Sequence, residues 1–347
     1  MQKVNIVNCL ITRRCNLACE YCQISGHIDQ PLRPQSYPDS EYYFKNEKDS
    51  EWWIKTLSSY FAANKDVFFI LYGGEPFIRW ELLVDIVNFL NKINAKYTII
   101  SNCTEGVKKN IFKFFKKVEG VYGFTASIDP SANINVCYDR EGCNDDEIYK
   151  SQVGYRMLLE LMNLGLVKDP VAEITCDCDS IYKLEDLVKQ LSKDGITSDI
   201  TMIDIAKGNY YDFSNIYGQM ALVPKDQDVR DIFNRLKNSN YLIHMKDKLL
   251  DMIYDCLPCN VDCEMEKGLS NVTIDSDGVN RLCLRIRGNH CVKYMADSLF
   301  NEDGTPSDSY NDIWESMCED KKVICHKCMW SCVLMSKMND CNGIINH

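Results

Sequence analysis

The chain has 347 residues, 46% of them hydrophobic and 26% charged, and a formal net charge of −11. That size can bury a large core, as one big domain or as one domain with an appendage, and the composition is ordinary for a globular protein. The acidic balance argues against a nucleic-acid-binding surface. No apolar run approaches the ~20 residues of a membrane span, and no signal-peptide pattern precedes the first strand, so a cytoplasmic location with no membrane partner is the expectation. Nineteen cysteines in such a chain point to metal or redox chemistry rather than to disulfides.

The elements follow in chain order. Val4–Leu10 reads as a strand and runs into a cysteine loop. Residues 26–48 are polar, carry three prolines and read as a long excursion. Glu51–Asn64 has a helical apolar side made by Trp52, Trp53, Leu57, Tyr60 and Phe61, so the two tryptophans are read as core. Val67–Tyr72 is an apolar strand, Glu81–Asn94 an amphipathic helix, Tyr97–Asn102 a strand and Val107–Val118 a helix. Val121–Asp129 is the fourth strand, followed by a polar loop and a helix near Tyr149–Leu164. Val171–Cys176, Leu184–Lys193 and Ile200–Ile205 read as strand, helix and strand.

Strands alternating with helices mean βαβ units and a parallel sheet. Six such units are too few for a closed eight-stranded barrel. The expected fold class is therefore α/β, an open partial (β/α)6 TIM-like barrel over residues 1–215. A polar, tyrosine-rich stretch at Asn209–Gln219 leads to helices near Asp226–Lys237 and Tyr241–Tyr254, a helical linker over 216–255. Ten of the nineteen cysteines lie after residue 250, which marks 256–347 as a cysteine-rich appendage.

The first motif is Cys15-Asn16-Leu17-Ala18-Cys19-Glu20-Tyr21-Cys22. One tight loop with these spacings can point three thiolates at a single point. Iron–sulfur clusters are held by cysteine thiolates, normally four to a 4Fe-4S cube, so three would leave one iron open. A zinc knuckle is the bland alternative for the same thiols. Gly73-Gly74-Glu75-Pro76 ends the second strand. Ligands of parallel α/β sheets bind beyond the carboxyl ends of strands. There the glycines allow close backbone approach and Glu75 offers a carboxylate to an ammonium. Ser101 and Asn102 end the third strand, and Ser127 and Asp129 the fourth. Their polar groups suit a ribose or a carboxylate, or serve only as loop caps. Arg140 could pair with a carboxylate or be a surface arginine.

Together the cysteine loop and the Gly-Gly-Glu turn resemble the radical S-adenosylmethionine (radical SAM) superfamily. The resemblance implies a 4Fe-4S cluster on Cys15, Cys19 and Cys22 whose open iron is chelated by the methionine end of S-adenosylmethionine (SAM). It implies that Gly73, Gly74, Glu75 and Pro76 bind the methionine amino group, and that electron transfer splits SAM to a 5′-deoxyadenosyl radical that abstracts a hydrogen from substrate. It also implies an electron donor such as flavodoxin or ferredoxin. Cys263, fourteen residues, Gly278, four residues and Cys283 look like the SPASM or twitch extension of such enzymes, which carries auxiliary iron–sulfur clusters. Inside that stretch Val272-Thr273-Ile274 and Asp275-Ser276-Asp277-Gly278 read as a strand and a hairpin turn.

The final element, Cys325, Cys328 and Cys332, departs from the SPASM spacing, so one auxiliary 4Fe-4S cluster is expected and a second is open. Cys283, Cys325 and Cys328, completed by Cys332 or Cys263, would hold the first; Cys256, Cys259, Cys263 and Cys341 are the reserve for a second. A structural zinc site is the alternative. The remaining cysteines, Cys9, Cys103, Cys137, Cys143, Cys176, Cys178, Cys291 and Cys318, read as small core or loop residues. SPASM-type relatives mostly modify peptides or proteins, by crosslinking, oxidation or epimerisation. A sugar or nucleotide substrate is the alternative, and a non-catalytic iron–sulfur or zinc protein is the rival of a different class.

Overall fold

A computed structural model describes residues 4–17, 45–128, 150–176, 180–202, 227–244, 271–281, 295–296, 298–310 and 312. Six strands come from the first two-thirds of the chain: β1 (Ile6–Leu10), β2 (Phe68–Tyr72), β3 (Lys96–Ser101), β4 (Phe124–Ser127), β5 (Pro170–Cys176) and β6 (Thr197–Met202). Three more follow: β7 (Asn271–Ile274), β8 (Asn280–Arg281) and β9 (Met295–Ala296). All share one open sheet in the order β6-β5-β4-β3-β2-β1-β7-β8-β9. The first seven strands run parallel, and β8 and β9 turn back antiparallel. This is the expected open, partial (β/α)6 barrel, with the β7–β8 hairpin added to the same sheet beside β1.

From β1 to β6 every crossover steps to the adjacent position. Right-handed crossovers then place all the helices on one face. They are α1 (Ser50–Ala63), α2 (Trp80–Lys92), α3 (Glu105–Phe115), α4 (Lys150–Asn163), α5 (Leu184–Lys193) and α6 (Gln227–Asn238). The strand residues facing them are apolar and fully buried: Val7 and Cys9, Phe69 and Leu71, Tyr97 and Ile99, Ala172 and Ile174. α2 buries Leu82, Leu83, Ile86, Val87 and Leu90 against this face, each contributing about 1.5–3 kcal/mol relative to exposure. α1 starts where the Asp49 carboxylate accepts from the Trp52 amide at 3.0 Å, and it buries Trp53, Leu57 and Tyr60. Trp53 is thus core, as the helical spacing suggests, while Trp52 is only half-buried and packs against the edge of that core. The opposite face alternates to Asn8, Thr98, Ser127, Glu173 and Thr175, all half-buried, and among the described residues no crossover helix covers it.

Three expected elements differ. Strand four begins at Phe124, three residues after the expected Val121. Strand six begins at Thr197, three residues before the expected Ile200. Thr197, Asp199 and Thr201 alternate with Ser198 and Ile200, and polar Ser198 takes a fully buried position in register with Ala172, so the strand shows no continuous apolar run. The helix expected at Tyr241–Tyr254 does not begin at Tyr241. Residues 241–244 run extended along β6 instead: Ser198 donates to the Leu242 carbonyl and His244 donates to the Ser198 carbonyl, both at 2.8 Å. The free backbone groups of the sheet edge claim these four residues, and residues 245–254 of the expected helix lie outside the described residues. The His244 imidazole lies by Asp199, whose hydrogen bond raises its pKa. The expected boundaries near residues 215 and 256 lie outside the described residues.

The hairpin of the appendage is bound to β1 by more than its ladder. Gly278 takes φ +90 in the β7–β8 turn, a backbone conformation suited to glycine. A Cβ there would also run into Trp52. Asp275, at the start of that turn, is fully buried and grips the buried Arg13 with both oxygens; Arg13 Nε donates to Oδ1 at 2.8 Å. Removing one partner of such a pair strands a buried charge at a cost of about 3–5 kcal/mol. Asp275→Asn should therefore lower the unfolding free energy by about that amount in urea titrations. Retention of the wild-type midpoint would show that the pair does not brace the sheet.

Candidate functional site

The site grows from the carboxyl ends of β1, β2 and β3. The β1–β2 pairing does not stop with the strands. Ile11 donates to the Tyr72 carbonyl at 2.7 Å, Gly74 to Thr12 at 2.7 Å, and Glu75 to Arg14 at 2.8 Å. The approach to Cys15 is thereby zipped onto the Gly-Gly-Glu turn. A Cβ on Gly73 would overlap the Thr12 carbonyl oxygen, and one on Gly74 would overlap those of Arg13 and Arg14. In this molecule the glycines allow close approach to the backbone of the cysteine loop itself.

Glu75 is fully buried. Its Oε1 accepts from the Phe77 amide at 3.1 Å and from Ser101 Oγ at 3.0 Å; its Oε2 accepts from the Asn102 amide at 2.8 Å. The carboxylate thus caps the 3-10 turn Pro76–Arg79 and ties it to the end of β3. Ser101 Oγ in turn accepts from the Cys103 amide at 3.0 Å. Cys103 adopts φ +53, the left-handed bend that turns the chain into α3.

Beyond the bend, Asn102 reaches back to the cysteine loop. Its amide nitrogen donates to Asn16 Oδ1 at 2.9 Å and to Cys15 Sγ at 3.9 Å. The Leu17 amide also donates to Cys15 Sγ, at 3.4 Å. The half-buried Cys15 sulfur therefore faces two N–H donors, a setting suited to a thiolate. The loop is held from a third side by Glu47, which accepts from Thr12 Oγ1 and pairs with Arg14 at 3.2 Å. Tyr72, just before the glycines, has its pKa raised by burial first and by the charge of Asp275 second.

Of the residues singled out in the sequence, Cys15, Gly73, Gly74, Glu75, Pro76, Ser101 and Asn102 are brought together here. Ser127 ends β4 on the uncovered face. Cys19, Cys22, Asp129 and Arg140 lie outside the described residues, as do Cys256, Cys259, Cys263, Cys283, Cys325, Cys328, Cys332 and Cys341. Cys9, Cys103 and Cys176 are buried core cysteines, as expected. Asn16, Thr104, Glu47 and the Arg13–Asp275 pair were not singled out. An Asx-turn signal at Asn102–Thr104 could have pointed to Thr104; partners 262 residues apart carry no local signal.

No family model matches the sequence, and none of the curated proteins does. Solved structures do match. The chain superposes on Streptococcus suis SuiB bound to S-adenosylmethionine with a TM-score of 0.53 and 14% identity, covering 81% of this chain and 60% of that one. SuiB bound to precursor peptide SuiA gives a TM-score of 0.53 at 14% identity over 82% of this chain and 60% of that one. The chain thus spans about 60% of the length of SuiB. Native anSMEcpe with bound AdoMet and Cp18Cys peptide gives 0.59 at 16% identity, covering 96% and 88%. These neighbours are radical SAM enzymes. At these identities the likeness establishes the fold: this chain has the TIM-like fold of radical SAM enzymes.

The zipped turn makes its own prediction. Ala at Gly74 would press on backbone rather than on a flexible side chain, a fault that costs about 1–3 kcal/mol. Gly74→Ala should lower the melting temperature and the protection of the residue 11–17 amides from hydrogen exchange. Wild-type values for both would mean that the close approach has no role in holding the loop.

Proposed function

We propose that the chain is a radical SAM enzyme that modifies a peptide or protein side chain, by crosslinking, oxidation or epimerisation. The observation that carries this reading is the interlocked ring of the Cys15 loop, the Gly-Gly-Glu turn and the Ser101-Asn102 bend, at the ligand-binding edge of an open parallel sheet. The donor chemistry fits a cluster: two N–H groups converge on Cys15 Sγ, and thiolate sulfur is the ligand a 4Fe-4S cube takes. Bound there, the cluster and SAM together supply a 5′-deoxyadenosyl radical able to abstract hydrogen from an unactivated C–H bond.

In this reading Cys15, Cys19 and Cys22 hold three irons. Gly73–Pro76 lines the methionine end of SAM, with the Glu75 carboxylate fixing the shape of the turn through Phe77, Ser101 and Asn102. Ser127, Asp129 and Arg140 stand for its ribose and carboxylate. The face left bare by the helices orients the substrate beside the radical and keeps other hydrogen donors away. A peptide substrate is supported by SuiB and anSMEcpe, both of which are seen with bound peptides. Flavodoxin or ferredoxin is the electron donor. Residues 256–347 form a SPASM/twitch-like region with one or two auxiliary 4Fe-4S clusters on the cysteines named above.

One variant tests core and tail together. After anaerobic reconstitution the wild type should convert SAM to 5′-deoxyadenosine, and replacing Cys15, Cys19 and Cys22 together by Ala should abolish this. Product at the wild-type rate would defeat the reading. Iron left in the triple variant reports the tail: about four atoms mean one auxiliary cluster and about eight mean two. Negligible iron with bound zinc would leave a structural zinc region. Mass spectrometry of candidate peptides, sugars and nucleotides then decides the substrate class.

A further inference from the structure

Asn102 was singled out as a polar residue suited to a cofactor's ribose or carboxylate, yet its side chain is spent inside the protein. It is only 7% exposed. Its Oδ1 accepts from the Thr104 amide at 3.1 Å and from Thr104 Oγ1 at 2.9 Å. Its nitrogen donates one hydrogen to Asn16 Oδ1 at 2.9 Å and one to Cys15 Sγ at 3.9 Å. Two donors and two acceptor positions are all a primary amide has. The amide cannot be flipped, because the Thr104 backbone N–H can only donate and so must meet the oxygen. Asn16 Nδ2 donates to Thr104 Oγ1 at 2.7 Å, which closes a ring of three side chains behind the sulfur.

Resting on the radical SAM reading, we propose that Asn102 is a positioning residue for the cluster. It holds the Cys15 thiolate in place and sets the cluster's reduction potential through its N–H···S hydrogen bond. Reduction adds negative charge to a cluster, and that charge spreads onto the thiolate sulfurs. An N–H aimed at sulfur therefore stabilises the reduced state more than the oxidised one and raises the potential. The donor is anchored at its other end by Thr104 and Asn16, so it does not reorient when the charge changes.

The test is an EPR-monitored redox titration without SAM, following the signal that a Cys15→Ala variant lacks. Asn102→Asp keeps the oxygen that Thr104 needs but removes both N–H donors, and Asn102→Ala removes the donors without adding charge. Both variants should shift the reduction equilibrium about tenfold toward the oxidised cluster, a midpoint about 59 mV lower for a one-electron couple. A residue that merely supports the fold would lower the melting temperature without moving the midpoint. Wild-type midpoints in both variants, with or without weaker SAM binding, would overturn the proposal and leave Asn102 as a ligand of SAM or a loop cap. A wild-type protein with no signal dependent on Cys15 would overturn the underlying reading and the proposal with it.

Discussion

Three backbone hydrogen bonds decide where the chemistry of this protein can stand. Ile11 to Tyr72, Gly74 to Thr12 and Glu75 to Arg14 carry the β1–β2 pairing past the ends of both strands. They require two residues without side chains at Gly73 and Gly74, since any Cβ there would strike carbonyl oxygens of the opposite loop. The remaining contacts build on this zipper. Glu75, placed by it, clasps the end of β3. The end of β3 presents Asn102 to Cys15. The chain that leads to Cys15 is thereby tied to the ends of two neighbouring strands.

The same loop is gripped from the other side by the last third of the chain. Arg13 and Asp275 form a buried ion pair between the cysteine loop and the β7–β8 turn. A buried pair is weak evidence for net stability, because desolvation offsets most of its attraction. Its value here is register. Two residues far apart in sequence can meet only when β7 has docked beside β1, so the loop is fully braced only in the completed sheet.

How much of this could be read from the residues depended on the range of the interaction involved. The parallel order of β1 to β5 and the helices between them were legible, because burial on both faces or one face writes itself into apolar spacing. β6 was misplaced by three residues because its first half, Thr197-Ser198-Asp199, is polar on both faces, even where Ser198 is fully buried. The helix expected at Tyr241–Tyr254 does not include its first four residues because their backbone pairs with the β6 edge, a partner distant in the sequence that carries no local signal. Chemistry at the site was legible as motifs, since Cys15, Gly73–Pro76 and Ser101-Asn102 each end a strand. How those motifs act on one another was not. Glu75 and Asn102 look like ligand-binding groups in the sequence, and the fold turns both toward protein atoms. Asn16 and Thr104 complete the ring around the sulfur, yet each is an ordinary polar residue beside a turn.

The central claim is that this ring holds a cluster with an iron open to SAM. Electron–nuclear double resonance on the reduced protein, with SAM carrying a 15N-labelled amino group, tests it most directly. A hyperfine coupling from the labelled nitrogen, present in the wild type and absent from a Cys15→Ala variant, is the predicted result. A cluster spectrum that does not change when SAM is added, with no coupling from the label, would contradict the account.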